Sequence, residues 1–231
     1  MVILMNKTYE IEIIGHIYNE YKEKFGVPRQ SGLTKNVISK IIFNKKYSHK
    51  SYFKGLEEFS HIWILWQFSE TLDKDITPTV RPPKLGGNER VGVFATRSPF
   101  RPNHIGLSSV KIERIDFNED SGIIIYVSGA DIMNGTPIID IKPYLPYTDS
   151  HPDASNGFAL DDTKGLLEVK CNENILNKIP FEIVEGLFET LKHDPRPSYQ
   201  NDNERIYGMS YGDIQVKFKV NNNELTILDI I

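Results

Sequence analysis

Residues 81–107, RPPKLGGNERVGVFATRSPFRPNHIGL, interleave arginine with glycine and proline, a mixture suited to gripping an anion. Arg81, Lys84, Arg90, Arg97 and Arg101 face a single acid, Glu89. Pro82, Pro83, Pro99 and Pro102 stiffen the backbone, and Gly86, Gly87, Gly92 and Gly106 permit its turns. A guanidinium on a stiff loop loses less entropy when it binds a carboxylate or phosphate.

Two further loops share this character. Val27–Leu33 (VPRQSGL) places the forked donors of Arg29 and Gln30 beside a proline and a glycine. Gly129–Pro137 (GADIMNGTP) offers Asp131, Asn134, Gly135 and Thr136, of which the Asn-Gly pair is also ordinary turn chemistry. Leu85–Asn88 (LGGN) reads as a tight turn. No partner carboxylate can be named for His104, which favours a packing or hydrogen-bonding role over catalysis.

Several chemistries lack their signatures. GxxxxGK[ST] is missing, and no GxGxxG follows a strand, so neither a phosphate loop nor a Rossmann site is supported. The six histidines show no close pairing at metal-ligand spacing, which argues against a metal site. There is no nucleophile with an evident base and no pair of acids. Group transfer from a cofactor, driven mainly by positioning, fits that pattern better than hydrolysis.

The elements that must hold these loops read as strands. Tyr9–Ile17 alternates and is rich in isoleucine; Val37–Phe43, Arg90–Ala95, Leu107–Phe117, Ile123–Ser128 and Pro137–Ile141 follow the same logic. His61–Phe68 reads as a strand buried on both faces, and Tyr52–Phe59 as a short helix. About seven strands separated by loops favour a mainly β fold: an antiparallel or mixed β-barrel over residues 1–150, without a Rossmann fold. After Tyr144, a segment rich in proline, serine and aspartate reads as a linker or an extended arm. Residues 151–231 then predict a smaller α+β domain: a strand within Gly165–Cys171, an amphipathic helix over Pro180–Lys192 and a hairpin around Asn221–Asn223.

Charge is unevenly shared. Residues 1–115 carry 18 Lys+Arg against 11 Asp+Glu, whereas the remainder carries 9 against 20, although the net charge is only −4. The most basic stretch, Lys22–Lys54, includes Arg29, Lys45 and Lys46; a contact with nucleic acid and a solvated lysine-rich face are equally compatible with it. The lone Cys171 and the lack of a long apolar run point to a reducing, cytoplasmic setting and to no membrane partner.

Taken together, FGVPRQSGL at 25–33, LEEFSHIWIL at 56–65, RPPKLGGNERVGVFATRSPFRPNHIGLS at 81–108, NGTPIIDIKPYLPY at 134–147, and DPRPSYQ with YGM within 194–209 resemble the TrmO family of tRNA methyltransferases. The resemblance implies a β-barrel enzyme that uses S-adenosylmethionine to methylate N6 of threonylcarbamoyladenosine in the anticodon loop of tRNA, and a homodimer. It implies cofactor contacts at Ser31, Gly32 and Leu33, at Ser69 and Glu70, at Arg97 and Leu107, and at Asn134, Gly135, Thr136 and Pro137. Ser31, His104 and Asn134 differ from the family's frequent residues, as does the Ser69–Glu70 pair. Arg29, Lys45, Lys46 and Arg101 are the residues assigned to tRNA, and no catalytic residue is designated. The competing readings are a non-catalytic RNA-binding barrel and a methyltransferase acting on another RNA or a small molecule.

Overall fold

The structure is a computed structural model that describes residues 8–118, 122–159, 165–196 and 202–231. Its first part is a closed six-stranded barrel. In chain order the strands are β1 (Gly15–Tyr18), β2 (Ile38–Phe43), β3 (His61–Gln67), the two-residue β4 (Thr79–Val80) and β5 (Val91–Gly92), β6 (Ile105–Asn118), β7 (Gly122–Ser128) and β8 (Pro137–Pro143). The barrel runs β1-β2-β7-β6-β3-β8, and every neighbouring pair is antiparallel. Ile17, Ile41, Ile62, Ile64, Val110, Ile125, Val127 and Ile138 fill it, all essentially inaccessible. Each such side chain contributes about 1.5–3 kcal/mol through burial.

Four sequence expectations change. Only the end of Tyr9–Ile17 is a strand, because β2 stops at Phe43, opposite Gly15, and leaves residues 8–14 no partner in that ladder. The Tyr52–Phe59 helix becomes two short 3-10 turns, Lys50–Tyr52 and Leu56–Glu58, separated at Gly55 with φ 88°. Arg90–Ala95 yields only β5 and then a 3-10 turn, Val93–Ala95, since its partner β4 is bounded by Pro78 and by Pro82 and Pro83, which carry no ladder N–H. β3 alternates rather than being buried twice: Ile62, Ile64 and Trp66 enter the core, while Trp63 on the other face donates to Asp149 at 2.8 Å.

The C-terminal sheet has the order β10-β11-β12-β9, from β9 (Glu168–Lys170), β10 (Tyr207–Tyr211), β11 (Ile214–Asn221) and β12 (Glu224–Ile230). The predicted hairpin is β11–β12, turning through Asn222 at φ 53°. Pro146–Asp149 (α1) and Glu173–Leu176 (α2) are single turns. The amphipathic helix is α3 (Phe181–Lys192), whose Leu187 and Leu191 are fully buried in the sheet's core. Part of the DPRPSYQ motif, 197–200, and most of the turn after Asn118 lie outside the described residues.

The segment between β1 and β2, residues 19–37, joins the two parts. Tyr21 and Val37 are buried in the core of the C-terminal sheet, with Phe25 and Val27 packed against it. Asn36 N donates to Glu189 at 2.7 Å, Gly212 N to the Glu20 carbonyl at 2.8 Å, Ser210 N to Glu23 at 2.6 Å, and Arg29 to the Arg196 carbonyl at 3.0 Å. Burial pushes the Tyr21 hydroxyl up to about 12 from its ordinary 10, and raises Tyr211 beside it. A raised phenol favours folding below pH 10 and loses that contribution as pH climbs through the folded value. Stability should therefore fall between pH 10 and 12, by roughly 1.4 kcal/mol per pH unit for Tyr21 alone. Denaturant titrations should show a shallower fall for Tyr21→Phe.

Candidate functional site

The ladders place the candidate loops at one end of the barrel. Tyr18 at the end of β1, Ile38 at the start of β2, Gln67 at the end of β3, Ile105 at the start of β6, Ser128 at the end of β7 and Pro137 at the start of β8 all emerge there. Three connections, 19–37, 68–104 and 129–136, therefore rise from a common rim. Lys45 and Lys46 lie elsewhere. They follow β2 at the opposite end, about 20 Å away by the length of a six-residue strand. Lys46 there pairs with Glu12 at 2.6 Å.

Two glycine turns close together at the rim. Gly32 N donates to the Gly129 carbonyl at 2.8 Å, which zips the 27–33 loop to the 129–137 loop. Gly32 (φ 82°) and Gly135 (φ 78°) both adopt the left-handed backbone, and a Cβ on either would meet nothing within 4 Å. Both backbones thus border open space. Leu33, next to Gly32, and Leu107, near the start of β6, remain 38% and 55% exposed. Gly135 N donates to the Ile17 carbonyl, and Asn134 N to the Tyr21 carbonyl; the Asn134 side chain accepts from Asn19 N at 3.0 Å. Thr136 is buried, and Pro137 opens β8 opposite His16.

The arginines of the 68–104 connection separate by partner. Arg90 clips Thr79 through its Oγ1 and its carbonyl, both at 2.8 Å, and Arg101 holds the Thr96 carbonyl at 3.1 Å. These two brace their own loop. Arg97 instead reaches across to the Gln30 side chain, tying the two loops together at the rim. Ser69 and Glu70 begin a 3-10 turn directly after β3, with Glu70 exposed. His104, at φ 48° and buried, contacts the Pro99 carbonyl (2.9 Å) and Thr71 Oγ1 (3.1 Å) through Nδ1. Its backbone is also bonded at both ends, so it is a keystone of the loop.

Asp131, which in the sequence offers a carboxylate to a cation or a hydroxyl pair, ends a chain of hydrogen bonds. Trp66 Nε1 donates to Ser108 Oγ at 3.0 Å, and Ser108 donates to Asp131 Oδ1 at 2.5 Å. The backbone N–H of Ser31 lies on the same side and favours the ionised carboxylate. Burial pushes its carboxyl above the usual range; the Ser108 bond and the Arg97 charge oppose that shift. A sequence signal existed in Ser108, a small polar residue at a core-facing position of an alternating strand. Among the described residues, no three His, Cys, Asp or Glu side chains gather as a metal site.

The same residue ranges answer to known families. A model described as the tRNA-methyltransferase O N-terminal domain matches residues 16–150, and one described as the TrmO C-terminal domain matches residues 166–231. The chain belongs to the TrmO family. A relative from Escherichia coli K12, named tRNA (adenine(37)-N6)-methyltransferase, is 40% identical over 221 residues, covering 92% of this chain and 94% of that protein. A solved TrmO structure from Pseudomonas aeruginosa superposes with a TM-score of 0.79 at 30% identity, covering 98% and 99% of the two chains. A Pyrococcus abyssi relative named as a probable S-adenosyl-L-methionine-binding protein is 38% identical over 136 residues, 59% of this chain and 68% of its own length. TrmO membership accounts for both parts of the chain, since each answers to its own family model.

Proposed function

We propose that this chain transfers a methyl group from S-adenosylmethionine to N6 of adenine 37 in tRNA, and that the acceptor base carries a threonylcarbamoyl group. The match to the Escherichia coli enzyme across nearly the whole chain carries this reading. In it, residues 1–150 form the methyltransferase domain and residues 151–231 a small α+β domain whose core takes in Tyr21 and Val37.

The rim fits the cofactor on its own chemistry. Arg97 supplies a fork for a carboxylate, Leu33 and Leu107 an apolar wall for a purine face, and Gly32 and Gly135 backbones that a ligand can approach without meeting a side chain. Ser31, Ser69, Glu70, Asn134, Thr136 and Pro137 complete the wall. S-adenosylmethionine, when bound, supplies an electrophilic methyl on a sulfonium. The chain's own residues orient it, exclude water and receive the acceptor base.

Leu72, Ile76, Phe94 and Leu107 are each at least half exposed, on the 68–104 connection or at the start of β6. That apolar surface supports a homodimer, which sedimentation would measure. The basic first half suits an RNA backbone, and among the described residues no helix is long and apolar enough to cross a membrane. A cytoplasmic location follows from the tRNA substrate.

The test is incubation with labelled cofactor and total tRNA, followed by nucleoside identification. Methylated threonylcarbamoyladenosine is expected. Cofactor binding with a different methylated product would favour another substrate, and RNA binding without cofactor binding would favour a non-catalytic barrel. Arg29, Arg101, Lys45 and Lys46 remain the proposed tRNA contacts, so the RNA would span from the rim to the far end. Replacing Lys45 and Lys46 by alanine should weaken tRNA binding and lower the slope of log affinity against log salt by about 1 for each lysine removed. Cofactor affinity, measured by calorimetry, should not change.

A further inference from the structure

We propose that Asp131 is the catalytic base that accepts the N6 proton of the acceptor base. This rests on the methyl-transfer reading above and adds a residue to it. Three observations carry the assignment: its place among the rim loops, the fixed polarity of its hydrogen bonds, and its remaining capacity to accept.

Asp131 lies where the rim loops meet. It follows Gly129, whose carbonyl holds Gly32; the Ser31 N–H and the Arg97 charge both favour its ionised form. Glu70, the other acid assigned to the rim, is exposed. A proton acceptor shielded from bulk water but open to the site is what a proton transfer at a buried nitrogen requires.

The hydrogen bonds run in one direction. An indole nitrogen can only donate, so Ser108 Oγ accepts from Trp66 and must turn its own proton toward Asp131 Oδ1. Asp131 is thereby presented with donors alone. Ser108 supplies one donor, against about four lone-pair positions on an ionised carboxylate. Room remains for one more N–H. The facing groups from each packed element are Trp66 on β3, Ser108 on β6, Ser31 on the 27–33 loop and Arg97 on the 68–104 connection. Of these only Arg97 is charged, and it favours the ionised acceptor.

Atoms balance as follows. N6 forms a bond to the transferred methyl carbon as the carbon–sulfur bond breaks, with its electron pair left on sulfur. The N6 proton passes to the Asp131 carboxylate and from there to solvent. Burial raises the carboxyl, which makes it a better acceptor while leaving it ionised above its own pKa.

The experiment uses the full chain and tRNA bearing the unmethylated base. Asp131→Asn keeps an acceptor for Ser108 and removes the base. Single-turnover methyl transfer should fall by about 100-fold or more, with S-adenosylmethionine affinity by calorimetry within about threefold of wild type. Ser108→Ala provides the second readout. The wild-type rate should rise with pH and then level off, and loss of the Ser108 bond should move that rise upward by roughly one pH unit. An active Asp131→Asn, a parallel loss of cofactor affinity and rate in that variant, or a Ser108→Ala profile superimposed on wild type would each overturn the assignment. If Asp131→Asn does not fold, the Ser108→Ala profile decides. A wild-type protein that methylates no tRNA would instead reject the methyl-transfer reading itself.

Discussion

Arg97→Ala should weaken S-adenosylmethionine binding by roughly 10- to 150-fold in calorimetry, the equivalent of losing a charge-assisted hydrogen bond of about 1.5–3 kcal/mol. Of the three arginines Arg90, Arg97 and Arg101 of the 68–104 connection, Arg97 reaches another loop, at Gln30, whereas Arg90 and Arg101 are bonded within their own connection. Its removal deletes the fork and also unties the 27–33 loop from the 68–104 connection. Arg97→Lys should recover part of the affinity, because it keeps the charge but loses the planar fork. Melting should change little, since Arg97 and Gln30 are both exposed and belong to neither core. Unchanged affinity in Arg97→Ala would remove the residue from the cofactor site.

Gly15→Ala should cost about 3 kcal/mol or more of stability, at the upper end of overpacking effects. A Cβ there would press on the Ile42 carbonyl oxygen and lie 3.0 Å from Phe43 Cα. Both are backbone atoms in a paired strand, so no side chain can move aside. β1 has only four residues and is the strand that closes the barrel between β2 and β8. Thermal unfolding of the variant should occur well below wild type, and an unchanged melting curve would show that β1 shifts register freely.

Much of the barrel was legible because its strands are isoleucine-rich and alternate, and because no helix-length pattern separates them. The register of β1, β2, β3, β6, β7 and β8 brings the 19–37, 68–104 and 129–136 connections to one rim. Neither the two-residue ladder at Thr79–Val80 nor the split of Tyr52–Phe59 at Gly55 could be read so directly, since each depends on what its neighbour lacks or allows. The Trp66–Ser108–Asp131 relay was hidden for a different reason. Its members are 42 and 23 residues apart in sequence, and only the barrel's register brings them within hydrogen-bond reach. β10 carried a readable alternation, Tyr207, Met209 and Tyr211 all facing inward, yet its glycine and serine weaken the strand signal.

The parallel pairing of β9 with β12 sets an order of assembly during synthesis. Glu168–Lys170 must wait for Glu224–Thr226, more than fifty residues later, before its ladder exists. The barrel's final strand ends at Pro143, so the barrel can close while that later stretch is still being made. Tyr21 and Val37 have no core to enter until then. A nascent chain therefore holds a barrel whose 19–37 segment is tied to the 129–137 loop but lacks its second core, and that segment is fully packed only when the last hairpin is complete.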